Sequence, residues 1–301
     1  LRRKSQCIRR AGVLIQTEMK NWRSRLEASV NFVLIRGHGS LFRDLYYWPV
    51  ILPGKSAEDL GMGSKKTVIV TGASQGIGKA IVQTFLDRGY NVVATSRSVS
   101  EAGFVPSSSL ALLDGDISQA ETAEKVAQAA VEKFGSIDHV VNNAGIFSVK
   151  PFTEYTTEEF RRFVSVNLEG FIFITQLAVR QMLSQGSGGS VTTITAALAD
   201  NPIAGIPASI PMITKGGLNA ITLSLASEYA KDKIRFNAVA PGTVDTPLHK
   251  GASKDSLESR TPMGTISDPK DIAEAVIYLA EARHVTGEVL HVDDGAHVGR
   301  W

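Results

Sequence analysis

The chain has almost no cysteine: one residue, Cys7, in 301. A lone thiol excludes an internal disulfide framework and a cysteine-rich metal site, so no metal centre is expected and a reducing, cytoplasmic setting is the default. Long hydrophobic runs are missing too. An uninterrupted apolar stretch such as Phe171-Ile172-Phe173-Ile174 is far short of the roughly 20 residues of a membrane span. An excess of one charge is also absent, since 32 basic and 30 acidic side chains leave only +2. That near balance hides a split: residues 1–61 carry eleven basic and five acidic residues, and the remainder carries 21 basic and 25 acidic ones. A nucleic-acid partner needs a basic face, and the main body leans the other way. With 43% apolar and 21% charged residues, the composition is that of a soluble globular protein rather than a disordered one.

Residues 1–61 are unlike the rest. They hold Trp22 and Trp48, two of the three tryptophans, and no clear apolar period longer than two helical turns. Three readings stay open. An Arg-rich start suits an organelle transit peptide, although Glu18, Glu27 and Asp44 are of a kind such peptides avoid. Arginines interleaved with Phe42, Tyr46, Tyr47 and Trp48 suit a surface or membrane-binding arm. The third reading is a basic extension outside the fold. Met62 stands shortly before the first expected strand, so residues 62–301 are expected to hold the whole domain.

Lys66-Thr67-Val68-Ile69-Val70-Thr71 reads as a buried strand, being short and β-branched with a turn after it. Gly72-Ala73-Ser74-Gln75-Gly76-Ile77-Gly78 then opens a helix in which Ile77, Ile81, Val82, Phe85 and Leu86 recur at helical spacing. Glycines at such a turn let the backbone approach a pyrophosphate whose charge faces the helix N-terminus. A second strand, Asn91–Thr95, ends in Ser96-Arg97. A site for NAD places an acid near this point to bind the ribose hydroxyls. Here serine and arginine stand instead, and arginine forms charge-assisted hydrogen bonds with a 2′-phosphate that an acid would repel. The expected cofactor is therefore NADP(H).

The alternation continues with strands at 110–113, 137–141, 190–195 and 234–239. Capping-box spacings at Ser118/Glu121 and Thr156/Glu159 start helices, the second running through Asn167 to about Leu183. A helix from about Pro211 to Ala230 follows, and Asp268-Pro269 marks a last helix start. Repeated strand–helix units imply an α/β fold with a parallel sheet covered on both faces.

These motifs together resemble the short-chain dehydrogenase/reductase family over residues 65–298. They are Thr71 to Gly78, Asp116, Asn142-Asn143-Ala144-Gly145, Asn167, Lys215, Pro241-Gly242 with Val244 and Thr246, and Val292-Asp293. The resemblance implies a single Rossmann-type, doubly wound parallel sheet of about seven strands, a small-molecule substrate and a homo-oligomer, dimer or tetramer. It also implies that Gly72, Ser74, Gln75, Gly76, Ile77 and Gly78 hold the pyrophosphate, with Ser96 and Arg97 as in NADP-preferring members. Asp116 and Ile117 would lie near the adenine, and Asn143, Ala144 and Gly145 along the middle of the cofactor. Pro241, Gly242, Val244 and Thr246 would meet the nicotinamide amide, Lys215 its ribose, and Asp245–Met263 would form the substrate lid.

Family chemistry needs a tyrosine four residues before the lysine, on the same helical face, to protonate the carbonyl oxygen as hydride arrives. That position is Pro211, and the variant position seven before the lysine is Ala208. The orienting serine expected after Ile194-Thr195 is replaced by Ala196. Asn167 and Lys215 are the remaining catalytic candidates. Thr195, Ser209 and Thr214 are poor acids beside a phenol. His249 on the lid titrates in a useful range, and Tyr155 and Tyr229 read as packing or surface residues. Losing a general acid costs about 10²–10⁴-fold in rate. Three functions stay open: an oxidoreductase with a non-standard proton donor, a catalytically inactive NADP(H)-binding sensor or oligomer partner, and a lyase or isomerase on the same scaffold. Deletion of residues 1–61 is expected to leave a soluble protein that unfolds cooperatively; a broad, non-cooperative melt of residues 62–301 would show that the segment belongs to the fold.

Overall fold

The β-branched run Thr67–Thr71 forms the first strand, β1, buried along its whole length. Burial of every residue suits a strand covered on both faces. Val68 and Val70 pack to one side and Ile69 to the other, as the two-residue period of a strand requires. The computed structural model describes residues 65–298, so the readings of residues 1–61 lie outside the described residues.

After β1 come α1 (Gly76–Asp87), β2 (Asn91–Ser96), β3 (Leu110–Asp114), α2 (Ala120–Phe134) and β4 (His139–Asn142). Next are α3 (Thr157–Val164), α4 (Gly170–Gln185), β5 (Gly189–Ile194), α5 (Ser209–Glu228) and β6 (Ile234–Pro241). The short α6 (Lys254–Glu258), α7 (Pro269–Glu281) and β7 (Val289–Val292) complete the domain. The seven strands form one sheet in the order β3-β2-β1-β4-β5-β6-β7, and every pairing is parallel. This is the doubly wound Rossmann-type sheet expected from the alternation. Ile81 and Phe85 of α1 share one core with Ile272 and Val276 of α7. On the other face Val126 of α2, Ile174 and Met182 of α4, and Leu218 of α5 fill the second core.

Two of the expected helix starts form as read. Thr156 accepts from Glu159 N at 3.1 Å while Glu159 returns a bond to Thr156 N at 2.7 Å. Asp268 caps α7 in the same reciprocal way with Asp271, and Pro269 occupies its first position. The capping box expected from Ser118 and Glu121 does not form. Helix α2 starts at Ala120 behind Gln119, and Ser118 Oγ instead donates to Asp116 Oδ1 at 2.8 Å. A carboxylate two residues away competes successfully for the hydroxyl. The helix expected through Asn167 to about Leu183 is interrupted by a π-helical segment, Ser165–Glu169, of the kind that often marks functional sites. Helix α5 starts at Ser209, two residues before the expected Pro211, which leaves the proline in the first turn where its missing N–H has no intrahelical role. The run Thr157–Gln185 is long and apolar enough by composition to cross a bilayer. Phe171, Ile174, Ala178 and Met182 are nevertheless buried in the domain, so it serves as a core helix.

At the start of β4, His139 is buried between sheet and helices, its Nδ1 2.7 Å from Ser190 Oγ. Its ring packs near Phe85 and Tyr90. Burial pushes this imidazole down to about 3, with Lys66 and Arg235 adding repulsion. The unfolded chain takes up this proton near pH 6.5, whereas the folded chain resists it until about pH 3. Stability from this residue is therefore present above pH 6.5 and lost as pH falls through that window, at no more than about 1.4 kcal/mol per pH unit. Urea unfolding at stepped pH is expected to show this loss, and His139→Asn to flatten it; an unchanged slope in the variant would rule out His139 as the source.

Candidate functional site

The chain leaves β1 towards β2 on one side of the sheet and leaves β4 towards β5 on the other. The loops after β1 and β4 therefore part, opening a crevice over the C-terminal strand ends, the usual ligand position in such sheets. A cavity of about 350 Å³ lies there. Gly72 and Ser74 to Gly78 form its floor; Ser96-Arg97-Ser98 and Gly115-Asp116-Ile117 line one end. Asn143 to Phe147 and Thr246 to Leu248 line the other, and Arg162 with Val166 border it from the α3 side.

The floor is locked by side chains of β1 and the β4 loop. Asn143 Nδ2 donates to the carbonyls of Thr71 and Gly72, each at 3.0 Å. Thr71 Oγ1 accepts from Asn143 N at 3.1 Å and Ala144 N at 3.0 Å. At Gly72 φ is +66°, and a Cβ would stand 2.8 Å from Ala144 Cα, so only glycine fits this turn. Helix α1 then begins behind Gln75 without a side-chain cap. Its first N–H groups are left free towards the cleft, the arrangement that binds a phosphate.

At the far end Ser96 Oγ is buried and has no hydrogen-bond partner among the described residues. The acid opposite it in register, Asp114, is engaged by Ser100 N at 2.9 Å. The end of β2 thus places a buried hydroxyl, without a partner among the described residues, next to the exposed Arg97. Asp116 accepts from Ser118 N at 3.0 Å. Partial burial works to raise its carboxyl pKa, but the Ser118 hydrogen bonds and the nearby Arg97 and Arg162 hold it below the usual range.

Behind Gly145 the structure brings Asn167 and Lys215 together: a Cβ on Gly145 would lie 3.3 Å from Asn167 Oδ1 and from Lys215 Nζ. The π-helical segment aims Asn167 inward, where its Oδ1 accepts from Ile146 N at 2.8 Å. Its Nδ2 donates to Ile146 O at 3.1 Å and to Thr214 Oγ1 at 2.9 Å. Lys215 Nζ donates to Ile194 O at 2.7 Å, and burial pushes its pKa down to about 8. Pro211 is buried one turn earlier on α5 and Ala196 lies extended after β5; neither carries a proton to give. Thr214 Oγ1 donates to Pro211 O at 2.8 Å, and Thr195 Oγ1 to Val239 O at 3.3 Å. Both hydroxyls serve the backbone.

Among the cofactor residues read from the sequence, Pro241, Gly242, Val244 and Lys215 do not line this cavity. Pro241 ends β6 and Gly242 N bonds Val292 O at 3.0 Å, while Val244 is 3% exposed, within the core. Thr246 alone of that loop set reaches the wall. His249 lines a second cavity of about 530 Å³ with Lys250 and Leu257, which shares Thr246 and Pro247 with the first. Desolvation and Arg260 lower the His249 pKa against the pull of Asp245. Tyr155 OH bonds Ser148 O at 3.1 Å and Tyr229 packs on Phe236, so both are packing residues. Sequence reading missed Arg162. Its position one turn before Val166 was visible, but only the fold shows that this face of α3 borders the cleft.

A switch-point cleft with a glycine floor defines a nucleotide-binding class of doubly wound protein. Residues 72–297 match the family model described as enoyl-(acyl carrier protein) reductase. An L-rhamnose 1-dehydrogenase (NAD(P)(+)) of Azotobacter vinelandii is 36% identical over 251 residues, covering 77% of this chain and 97% of that one. The ligand-free aldohexose dehydrogenase of Thermoplasma acidophilum superposes with a TM-score of 0.72 at 31% identity, covering 79% of this chain and 96% of that one. ElxO with NADP bound superposes at 0.73 with 28% identity, covering 78% and 100%. The chain belongs to the short-chain dehydrogenase/reductase family.

Proposed function

We propose that this protein is an NADP(H)-dependent oxidoreductase acting on a small carbonyl or alcohol substrate with a proton donor other than the family's usual tyrosine. The observation that carries this reading is the adenosine end of the cleft, where Ser96, with its unpartnered Oγ, and Arg97 stand in place of an acid. The cofactor, when bound, supplies a hydride donor or acceptor. In this reading the glycine floor and the free N-terminus of α1 hold the pyrophosphate, and Ser96 and Arg97 the 2′-phosphate. Asp116 and Ile117 bind the adenine, and Asn143 to Gly145 follow the middle of the dinucleotide. Lys215 contacts the nicotinamide ribose, with Asn167 fixing the wall behind it. The loop from Pro241 to Thr246 closes the nicotinamide end.

A second reading, a cofactor-binding protein without turnover acting as a sensor or oligomer partner, is favoured by Pro211 and Ala196. The named activities of the Azotobacter and Thermoplasma relatives make aldoses the first members of a substrate panel. The cofactor assignment is tested by fluorescence titration with NADPH and NADH in parallel. NADPH is expected to bind at least about tenfold more tightly, the scale of a charge-assisted phosphate contact, and Arg97→Ala to abolish the difference; equal affinities in the wild type would overturn it. Pro211→Tyr combined with Ala196→Ser is expected to raise turnover, read as NADP+ reduction with the aldoses and as NADPH oxidation with carbonyl substrates. No gain with NADPH binding preserved would mean that the substrate pocket has diverged beyond these two positions.

A further inference from the structure

The cleft is bordered by a second arginine that the family motifs do not include. Arg162 belongs to the last turn of α3, and Val166 follows one turn later, at the start of the π-helical segment; both line the cavity. Its neighbour Arg161 does not. Arg162 is exposed and makes no ion pair within 4 Å among the described residues. The acid that its own helix offers one turn back, Glu158, is not engaged with it, and Glu159 is taken by Lys150 at 2.9 Å.

The two arginines have different surroundings. Arg97 is flanked by Ser96 and Ser98 at the end of β2, where hydroxyl groups suit a phosphate. Arg162 lines the cavity with the apolar Val166, one turn on, and its charge acts on Asp116, the neighbour of the apolar lining residue Ile117. Ile117 is fixed against the start of α4, where a Cβ on Gly170 would meet its Cγ2 at 3.0 Å. Apolar side chains on the walls and a planar cation at the mouth suit a flat aromatic ring, since guanidinium groups stack on such rings. Resting on the dinucleotide reading above, we propose that Arg162 covers the adenine base and contributes to the affinity for NADPH and NADH alike, leaving the 2′-phosphate to Arg97. Asp116, whose charge is favoured by both guanidinium groups, lies between the two subsites.

Fluorescence titrations of the full chain with NADPH and with NADH test this in the wild type, Arg162→Ala, Arg162→Lys and Arg97→Ala. Arg162 is exposed, so the variants are expected to keep the wild-type melting temperature. Arg162→Ala is expected to weaken both cofactors by about five- to twentyfold, the range for a partly desolvated cation over a ring. Arg162→Lys should recover little of that loss, because an ammonium lacks the plane, and Arg97→Ala should weaken NADPH selectively. Selective loss of NADPH in Arg162→Ala would make it a phosphate ligand and overturn the proposal. Unchanged binding of both cofactors in that variant would make Arg162 a solvated surface charge, with the same consequence, while the dinucleotide reading stood. A wild-type protein that binds neither cofactor would remove the dinucleotide reading itself, and this inference with it.

Discussion

The Asn143 amide and the Thr71 hydroxyl tie the ends of β1 and β4 together at the point where the sheet changes direction. These bonds satisfy carbonyls and N–H groups of two loops that must diverge, and backbone groups in such a place are costly to leave unpaired. They fix the position of Gly72, and through it the start of α1. Everything the cleft offers follows from that placement. The free N–H groups of α1 face inward, Gly145 lies over Asn167 and Lys215, and the end of β2 opens onto the same space.

At the Lys215 end of the site the supporting frame is intact. Lys215, Asn167 and the π-helical segment are arranged by hydrogen bonds to Ile194, Ile146 and Thr214. Each of these bonds also holds neighbouring backbone or side-chain groups in place, so the frame persists without a tyrosine or serine. Pro211 disturbs nothing, because it occupies a first-turn position that lacks an intrahelical N–H partner in any case. Desolvation leaves Lys215 much closer to neutrality than a surface lysine. The site therefore keeps the glycine turn, Asn167 and Lys215 of the family pattern, with Pro211 and Ala196 at the positions read as those of its tyrosine and serine.

Much of the fold was legible in the residues. The β-branched runs and helical periods located six of the seven strands to within a few positions, missing only β7, and the Thr156 capping box and the Asp268-Pro269 helix start formed as read. Ser118 misled because a capping pattern records spacing only, and a nearer carboxylate took the hydroxyl. Asn167 was recognised from its motif, and a buried amide there suits a break in the helix, but the π-helical form of that break has no residue signature of its own. At the other end of the site, Pro241, Gly242 and Val244 lie in the β6–β7 pairing and the core, and Thr246 of the same loop lines the cavity, a placement that only the fold supplies.

The sequence by itself determined the alternating elements, the glycine turn, the lack of an acid after β2, and the presence of Pro211 and Ala196 where the family resemblance expects a tyrosine and a serine. All of these are properties of residues close together in the chain, where spacing and side-chain chemistry suffice. Only the tertiary structure decided which distant segments share a wall. Arg162 reaches the cleft beside Asp116, Gly145 covers Lys215 across 70 positions of chain, and His249 opens onto a separate cavity. Those neighbours are set by strand order and by the packing of helices on the sheet, and no local pattern encodes them.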